Sequence, residues 1–230
     1  MPKKSGKTQL KIALVGSGGR MGREILALAQ DEFAIAAAIE TNAQWAKKDA
    51  SAVDVVVDFS SPEGLSQAVE WAMNAKKPLV SGTTGLSAGD LAKLKKAAAK
   101  IPILYSANMS LGIAALSAML VYLKPLASWD FQIVEAHHNQ KKDKPSGTAL
   151  LLQESLVAAV GRKLPSPLAV RGGGIAGSHE ILAMGEDETL TLQHTAFNRK
   201  VFARGALNAA RWLFDKKQPG FYELSDLYKL

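Results

Sequence analysis

The stretch Leu10 to Gly22, LKIALVGSGGRMG, decides how the first half of this chain is read. Leu10–Val15 is a short, mostly apolar run, the pattern of a strand buried on both faces of a parallel sheet. It leads into Gly16, Ser17, Gly18, Gly19, Arg20, Met21 and Gly22, and a helical pattern follows from Arg23 to Ala29. The next apolar run, Phe33–Ile39, ends at the acid Glu40, 18 residues beyond Gly22. Strand, glycine-rich turn, helix, strand and terminal acid together predict a dinucleotide-binding unit. Each part has a physical reason: Gly16 permits the tight turn, Gly19 lets the backbone approach a pyrophosphate, Gly22 lets the helix pack closely, and Glu40 accepts hydrogen bonds from a ribose diol.

Working outward, the same alternation continues. Val53–Phe59 is a second buried-strand run, broken by Pro62 and Gly64 ahead of a helix over Leu65–Ala75. Pro78–Ser81 predicts a short strand, Ser87 caps a helix over Asp90–Lys100, and Ile103–Tyr105 is again strand-like. Repeated β-α units predict an α/β fold with a doubly wound parallel sheet, a Rossmann-type dinucleotide-binding domain. Ligands of such sheets lie beyond the carboxyl ends of the strands. The loops at 16–22, 59–64, 82–85 and 106–110 share that edge. The candidate cofactor-binding residues are therefore Gly16, Ser17, Gly18, Gly19, Arg20, Met21, Gly22, Glu40, Phe59, Gly82, Thr83, Thr84, Ser106, Ala107, Asn108 and Met109.

Beyond Gly112 the rhythm changes. A long apolar helix pattern runs from Ile113 to Leu126 and stops at Pro125, and Trp129–Val134 alternates like a strand. A helix is expected over Ala149–Val160, followed by alternating runs at Ser178–Met184, Thr189–Thr195 and Lys200–Ala203. This predicts a second domain of α+β type with a mixed or antiparallel sheet. An amphipathic helix over Arg204–Lys216 and the tail Phe221–Leu230 return to the first domain. The expected division is 1–108 with 200–230 against 109–199.

Between the second domain's first strand and its helix lies Glu135–Thr148, EAHHNQKKDKPSGT. His137 and His138 titrate near neutrality, and Lys141, Lys142 and Lys144 are cationic donors. Ser146, Gly147 and Thr148 open an apolar helix, whose first backbone N–H groups lack partners within the helix and suit an anion. These residues make a proton donor beside a carboxylate or phosphate cradle. The net charge of +7 and a pI near 9.5 also favour anionic ligands. The lysines fall in scattered pairs such as Lys47–Lys48 and Lys95–Lys96, without a basic arm or interleaved aromatics, so no nucleic-acid partner is expected. With no cysteine, disulfide and thiolate chemistry are excluded, which fits a reducing cytoplasm. No apolar run is long enough to span a bilayer, and the polar first residues lack the apolar region of a secretory signal. The histidines and carboxylates have no metal-ligand spacing, so no metal is expected.

The chain resembles the dihydrodipicolinate reductase family, now usually called 4-hydroxy-tetrahydrodipicolinate reductases. The family signature Glu-x-His-His-x-x-Lys-x-Asp-x-Pro-Ser-Gly-Thr-Ala stands complete as Glu135, His137, His138, Lys141, Asp143, Pro145, Ser146, Gly147, Thr148 and Ala149. Gly16-x-x-Gly19-Arg20-Met21-Gly22, Asp58-Phe59, Gly82-Thr83-Thr84-Gly85, Arg171, His179-Glu180, His194 and Arg199 also match. Three departures stand out. The segment after Glu40 is short, Met109 replaces a common phenylalanine, and Thr41 follows Glu40 where some members carry arginine.

The resemblance implies reduction of a cyclic, unsaturated dicarboxylate by NADH or NADPH, in lysine and diaminopimelate biosynthesis. The residues then take roles. His137 is the general-acid candidate, and Lys141 binds a substrate carboxylate or donates a proton. His138 and the N–H groups of Ser146, Gly147 and Thr148 hold the carboxylates. Asp143 and Glu135 are orienting partners, while His179 and His194 are structural or face another subunit. Glu40 would repel a 2′-phosphate, which favours NADH, although Arg20 and Arg23 leave NADPH open. The second domain becomes a substrate-binding and oligomerisation domain, with a homotetramer built through its sheet. Closure over substrate follows from a cofactor and an acid on different domains. Two other readings are an aspartate dehydrogenase-like reductase, opposed by the paired-histidine signature, and a non-catalytic NAD-binding regulator, opposed by intact His137 and Lys141.

Overall fold

Strands with no polar face need cover on both sides, and the first unit supplies it with β-α alternation. The computed structural model describes residues 9–30, 32–40 and 49–229. Thr41, the Lys47–Lys48 pair and most of the polar N-terminal segment lie outside the described residues. Six strands, β1 (Leu10–Val15), β2 (Phe33–Ile39), β3 (Val55–Asp58), β4 (Leu79–Ser81), β5 (Pro102–Tyr105) and β10 (Gly220–Tyr222), form one parallel sheet in the order β10-β5-β4-β3-β1-β2. The chain passes from β1 to β2 on one side and then back to β3 on the other. The carboxyl ends of β1 and β3 are thus the point where strand order reverses, the usual ligand position of such sheets. Ala13, Val15, Val56, Leu79 and Ile103 from the strands pack with Leu65, Val69 and Leu94 from the helices as its core.

Helix starts follow local chemistry. Helix α1 (Arg20–Leu28) begins directly after the glycine turn, earlier than Arg23, and its N-cap Gly19 offers no side-chain acceptor. Helix α2 (Pro62–Ala75) also begins earlier than expected. Ser61 Oγ accepts the Gly64 N–H, and Pro62, with no N–H to leave unpaired, fits the first turn. Helix α3 (Ala88–Ala98) starts from a reciprocal Ser87–Asp90 capping box.

The second sheet has four strands, β6 (Asp130–His137), β7 (Leu168–Arg171), β8 (Gly177–Met184) and β9 (Thr189–Ala196), in the order β7-β6-β8-β9. β6 and β7 are parallel and the other pairings antiparallel, so the sheet is mixed. Its apolar face meets α4 (Leu111–Met119) and α5 (Gly147–Val160), with Leu116, Phe131, Ile133, Leu152, Leu156 and Ile181 in the core. Two expectations are corrected. The helix over Ile113–Leu126 ends as α at Met119 and continues as a 3-10 segment over Leu120–Leu126, because Pro125 has no N–H to donate four residues back. Lys200–Ala203 is not a strand but the first turn of α6 (Lys200–Lys216). Asn198 Oδ1 accepts the Lys200 N–H at 3.0 Å, and this local start outweighs a four-residue alternation. A short helix, α7 (Leu224–Tyr228), ends the described chain.

Contacts divide the chain into two units: Met1–Met109 with Phe202–Leu227, and Ser110–Val201 with Tyr228–Leu230.

Candidate active site

The glycine turn of the first unit is shaped by contact with β2 and β3. Gly16 has a φ of +78°, and a Cβ there would lie 2.4 Å from the Phe59 carbonyl oxygen, so no other residue fits without displacing the end of β3. Glu40 stands at the carboxyl end of β2, and a Cβ at Gly18 would be 2.8 Å from its Oε1. Ser17 Oγ donates to the same oxygen at 3.3 Å. The turn therefore presents backbone beside a carboxylate. Gly18, Gly19 and Arg20 of the turn, and Arg23 just beyond it, are exposed at the start of an uncapped helix. A pyrophosphate and a ribose diol fit this combination.

The neighbouring loops are held by Asp58, which is fully buried at the end of β3. It accepts hydrogen bonds from the hydroxyls of Ser60, Ser81 (2.8 Å) and Thr83 (2.7 Å). Thr83 Oγ1 in turn accepts the Ser60 N–H at 3.0 Å. The Thr83 hydroxyl thus ties two loops together, while Thr84 and Ala107 are exposed. Gly82 lies against the Phe59 ring, 2.2 Å from where a Cβ would sit. Ser106 Oγ donates to the Asn108 carbonyl at 2.7 Å. Met109 is buried at 1%, so its side chain is a core residue of the first unit.

In the second unit, strand periodicity builds the site. β6 continues past Val134, which places Phe131, Ile133, Glu135 and His137 on one buried face. Register then aligns rows across the sheet. Ile133 faces Ile181 and Leu192, while Glu135 faces His179, which faces His194; His137 pairs with Arg171 on β7. One sheet face changes from apolar to ionisable within two residues along each strand.

Glu135 is fully buried and surrounded by donors. Arg171 grips it with both terminal nitrogens, at 2.8 Å to Oε2 and 2.7 Å to Oε1. The Ser146 N–H reaches Oε1 at 3.1 Å, and His137 Nδ1 lies 2.5 Å from Oε2. Burial pushes the Glu135 carboxyl up, but the Arg171 and His137 hydrogen bonds and charges outweigh it and hold the pKa below its ordinary value. Burial pulls His137 down, against the opposing pull of Glu135, and the charges of Lys141 and Arg171 lower it further. His179 lies edge-on to His137 with ring centroids 5.2 Å apart. Burial lowers it to about 4, so it is neutral at physiological pH. His179 faces inward at 3% exposure, which removes the expectation that it looks toward another subunit. His194 Nε2 meets Ser110 Oγ at 3.2 Å, and its lowered pKa comes from burial.

The turn after β6 carries the remaining candidates. His138 donates its backbone N–H to Ile175 at 2.7 Å and begins the turn that ends in α5. Lys141 Nζ lies 2.8 Å from Asp143 Oδ1. Burial raises Asp143, but Lys141 and, more weakly, the Gly147 N–H hold it low. Ser146 caps α5 by accepting the Ala149 N–H at 3.2 Å, and its Oγ also meets His179 at 3.3 Å. Its own N–H goes to Glu135, so of the expected three-residue cradle Ser146 has an internal partner. Arg171, matched to the family without a role, and His179, expected to be structural or to face another subunit, are the residues whose place in the site the sequence reading did not give. Their signal was the period-two pattern, in which Glu135 and His137 continue a buried strand face and so need charged or polar partners on adjacent strands.

Comparison with known proteins decides the family. The model described as dihydrodipicolinate reductase, N-terminus, matches residues 10–109, and its C-terminus counterpart matches 109–228. The chain belongs to the dihydrodipicolinate reductase family. It is an NAD(P)H-dependent oxidoreductase. A 4-hydroxy-tetrahydrodipicolinate reductase from Bdellovibrio bacteriovorus is 48% identical over 95% of this chain and 96% of its own length. One from Zymomonas mobilis subsp. mobilis is 37% identical over 97% and 99%. The fold matches the dipicolinate-bound dihydrodipicolinate reductase of Paenisporosarcina sp. TG-14, with a TM-score of 0.76 at 19% identity, covering 94% of this chain and 98% of that one.

Proposed function

We propose that the chain reduces 4-hydroxy-tetrahydrodipicolinate to tetrahydrodipicolinate in lysine and diaminopimelate biosynthesis, with His137 as the proton donor. The observation that carries the acid assignment is the 2.5 Å contact of His137 Nδ1 with buried Glu135, which leaves Nε2 as the atom available to substrate. A general acid needs a pKa near the working pH and a fixed direction of delivery. Glu135 supports the imidazolium, while burial and the charges of Lys141 and Arg171 keep it a willing donor. Lys141 binds a substrate carboxylate. Asp143 supports this reading: a carboxylate of the chain itself pairs with Lys141 in that turn, and the Gly147 N–H helps to hold its charge. A substrate carboxylate replaces it there, with His138 and Thr148 completing the contacts. That reading favours a carboxylate over a phosphate.

The nicotinamide cofactor, when bound, supplies the hydride. Residues 16–22, Glu40, Phe59, Gly82–Thr84 and Ser106–Met109 would hold it, Met109 through its backbone. NADH is favoured over NADPH because Glu40 stands beside Gly18 and Ser17, where a 2′-phosphate would meet a carboxylate. The division into residues 1–108 with 200–230 and 109–199 is proposed as the division between cofactor and substrate. A homotetramer in the cytoplasm, assembled through the second sheet, completes the reading. No helix among the described residues is long and apolar enough to cross a membrane.

The test is loss of absorbance at 340 nm with freshly made substrate and each cofactor in turn. Turnover with NADH at higher kcat/KM than with NADPH is expected. No turnover with either, in protein that still binds cofactor, overturns the proposal.

A further inference from the structure

We propose that Arg171 is a positioning residue for proton delivery, acting through Glu135 on His137. The inference rests on His137 being the donor, and its argument is an accounting of acceptor sites. A carboxylate has about four lone-pair positions. On Glu135, Oε1 takes Arg171 and the Ser146 N–H at 2.7 and 3.1 Å, and Oε2 takes Arg171 at 2.8 Å. One position remains, on Oε2, and His137 Nδ1 lies 2.5 Å from it. Glu135 stays ionised and accepts only, so Nδ1 must carry hydrogen in both charge states of the ring.

The consequence for the reaction is definite. The imidazolium loses its Nε2 proton to the substrate, and the electron pair of that N–H bond stays on Nε2. The Nδ1–H remains on Glu135, and neither Glu135 nor Arg171 changes protonation. Nε2 is then recharged with a proton from water. Arg171 is itself fixed, since its other hydrogen bonds go to the carbonyls of Val170 (2.6 Å), Asp143 (2.5 Å) and Lys141 (3.3 Å). The last two belong to the turn that carries the substrate lysine. One guanidinium therefore ties the acid's anchor to the turn beside it.

Charge adds a second effect. The groups facing His137 are Glu135 on its own strand, Arg171 from β7, His179 from β8 and Lys141 from the following turn. Without Arg171 the imidazolium becomes the main cation beside a buried carboxylate, and it holds its proton more tightly.

The experiment uses the full chain as wild type, Arg171→Gln, Arg171→Lys and His137→Gln. Ring-nitrogen NMR reads the tautomer and titration of His137, and the pH profile of kcat/KM is measured with NADH. In Arg171→Gln, His137 should titrate at higher pH, the alkaline limb should move with it, and kcat should fall at least tenfold with NADH binding unchanged. Arg171→Lys keeps the charge and loses the two-pronged grip, so kcat should fall while the titration stays near wild type. An unchanged tautomer and titration in folded Arg171→Gln overturns the inference. If that variant does not fold, wild-type kcat in Arg171→Lys overturns it. His137→Gln separates the underlying reading: if it keeps the alkaline limb, His137 is not the donor, whatever Arg171 does.

Discussion

Asp58 and Glu135 are both fully buried carboxylates at the carboxyl end of a strand, one in each unit, and their surroundings push them in opposite directions. Asp58 is met by hydroxyls, and burial raises its pKa beyond what the Ser60, Thr83 and Ser81 hydrogen bonds can reverse. Glu135 likewise has no exposed surface, yet Arg171 and His137 bring its pKa below the ordinary value. Neutral donors hold a carboxyl group in place; a guanidinium and an imidazole hold a charge. The first arrangement suits a scaffold that pins neighbouring loops, the second a site where charge must persist beside a titratable histidine.

The largest expected effect tests what Glu135 serves. His137→Gln should lower kcat by roughly a hundredfold to ten-thousandfold, the usual range for a lost general acid. NADH affinity by fluorescence titration should be unchanged. Lys141→Ala should act mainly on substrate, with a loss of kcat/KM and intact cofactor binding in the same titration. A normal kcat in His137→Gln would reduce Glu135 to a structural ion pair.

Stability should separate the two carboxylates next. Removing one partner of a buried ion pair costs roughly 3–5 kcal/mol, so Arg171→Leu, which strands the charge of Glu135, should unfold at markedly lower urea. Asp58→Asn keeps a polar group of the same shape and should cost about 1–3 kcal/mol, the range for a disturbed buried hydrogen bond. Equal losses would erase the distinction.

The pH dependence carries the sign of the same contrast. Glu135 has a lowered pKa, so its contribution is present above the unfolded value and is lost as pH falls through the folded one. Asp58 has a raised pKa and acts oppositely, its contribution being lost as pH rises through the folded value. His179 falls from 6.5 to about 4. Between those values the unfolded chain binds the proton and the folded one does not, so stability rises with pH. The difference amounts to roughly 3 kcal/mol at most. His179→Gln should flatten that part of a urea-derived stability curve. An unchanged slope there would mean that the site admits a charged His179.

The smallest effect concerns the first unit alone. Glu40→Gln removes the charge beside Gly18 and should raise kcat/KM with NADPH relative to NADH by about tenfold, a change of roughly 1.4 kcal/mol. No change in the ratio would place the cofactor preference elsewhere.

Much of this is legible in the sequence itself. The runs at Leu10–Val15 and Phe33–Ile39 became strands over those same residues, because a both-sides-buried strand has a pattern that local sequence alone can carry. Lys200–Ala203 was misread because four alternating residues cannot be told from the first turn of a helix that continues for 17 residues. In the site, the signature at Glu135–Thr148 gave the chemical types, and the resemblance gave their roles. The contacts of Arg171 and His179 with Glu135 and His137 stayed hidden, since these residues lie 36 and 44 positions beyond Glu135 and no local pattern joins them.

By itself, the sequence determined the sheet class of the first unit, the glycine turn with its acid, and the presence of a histidine and lysine beside a helix start. Those are properties of short stretches, set by periodicity, backbone freedom and side-chain chemistry. Only the tertiary structure decided which acid meets which base. Register across β7, β6 and β8 sets Arg171, Glu135, His137 and His179 on one face, and hydrogen-bond partners fix their charges. Burial decides protonation, and burial belongs to the folded chain as a whole.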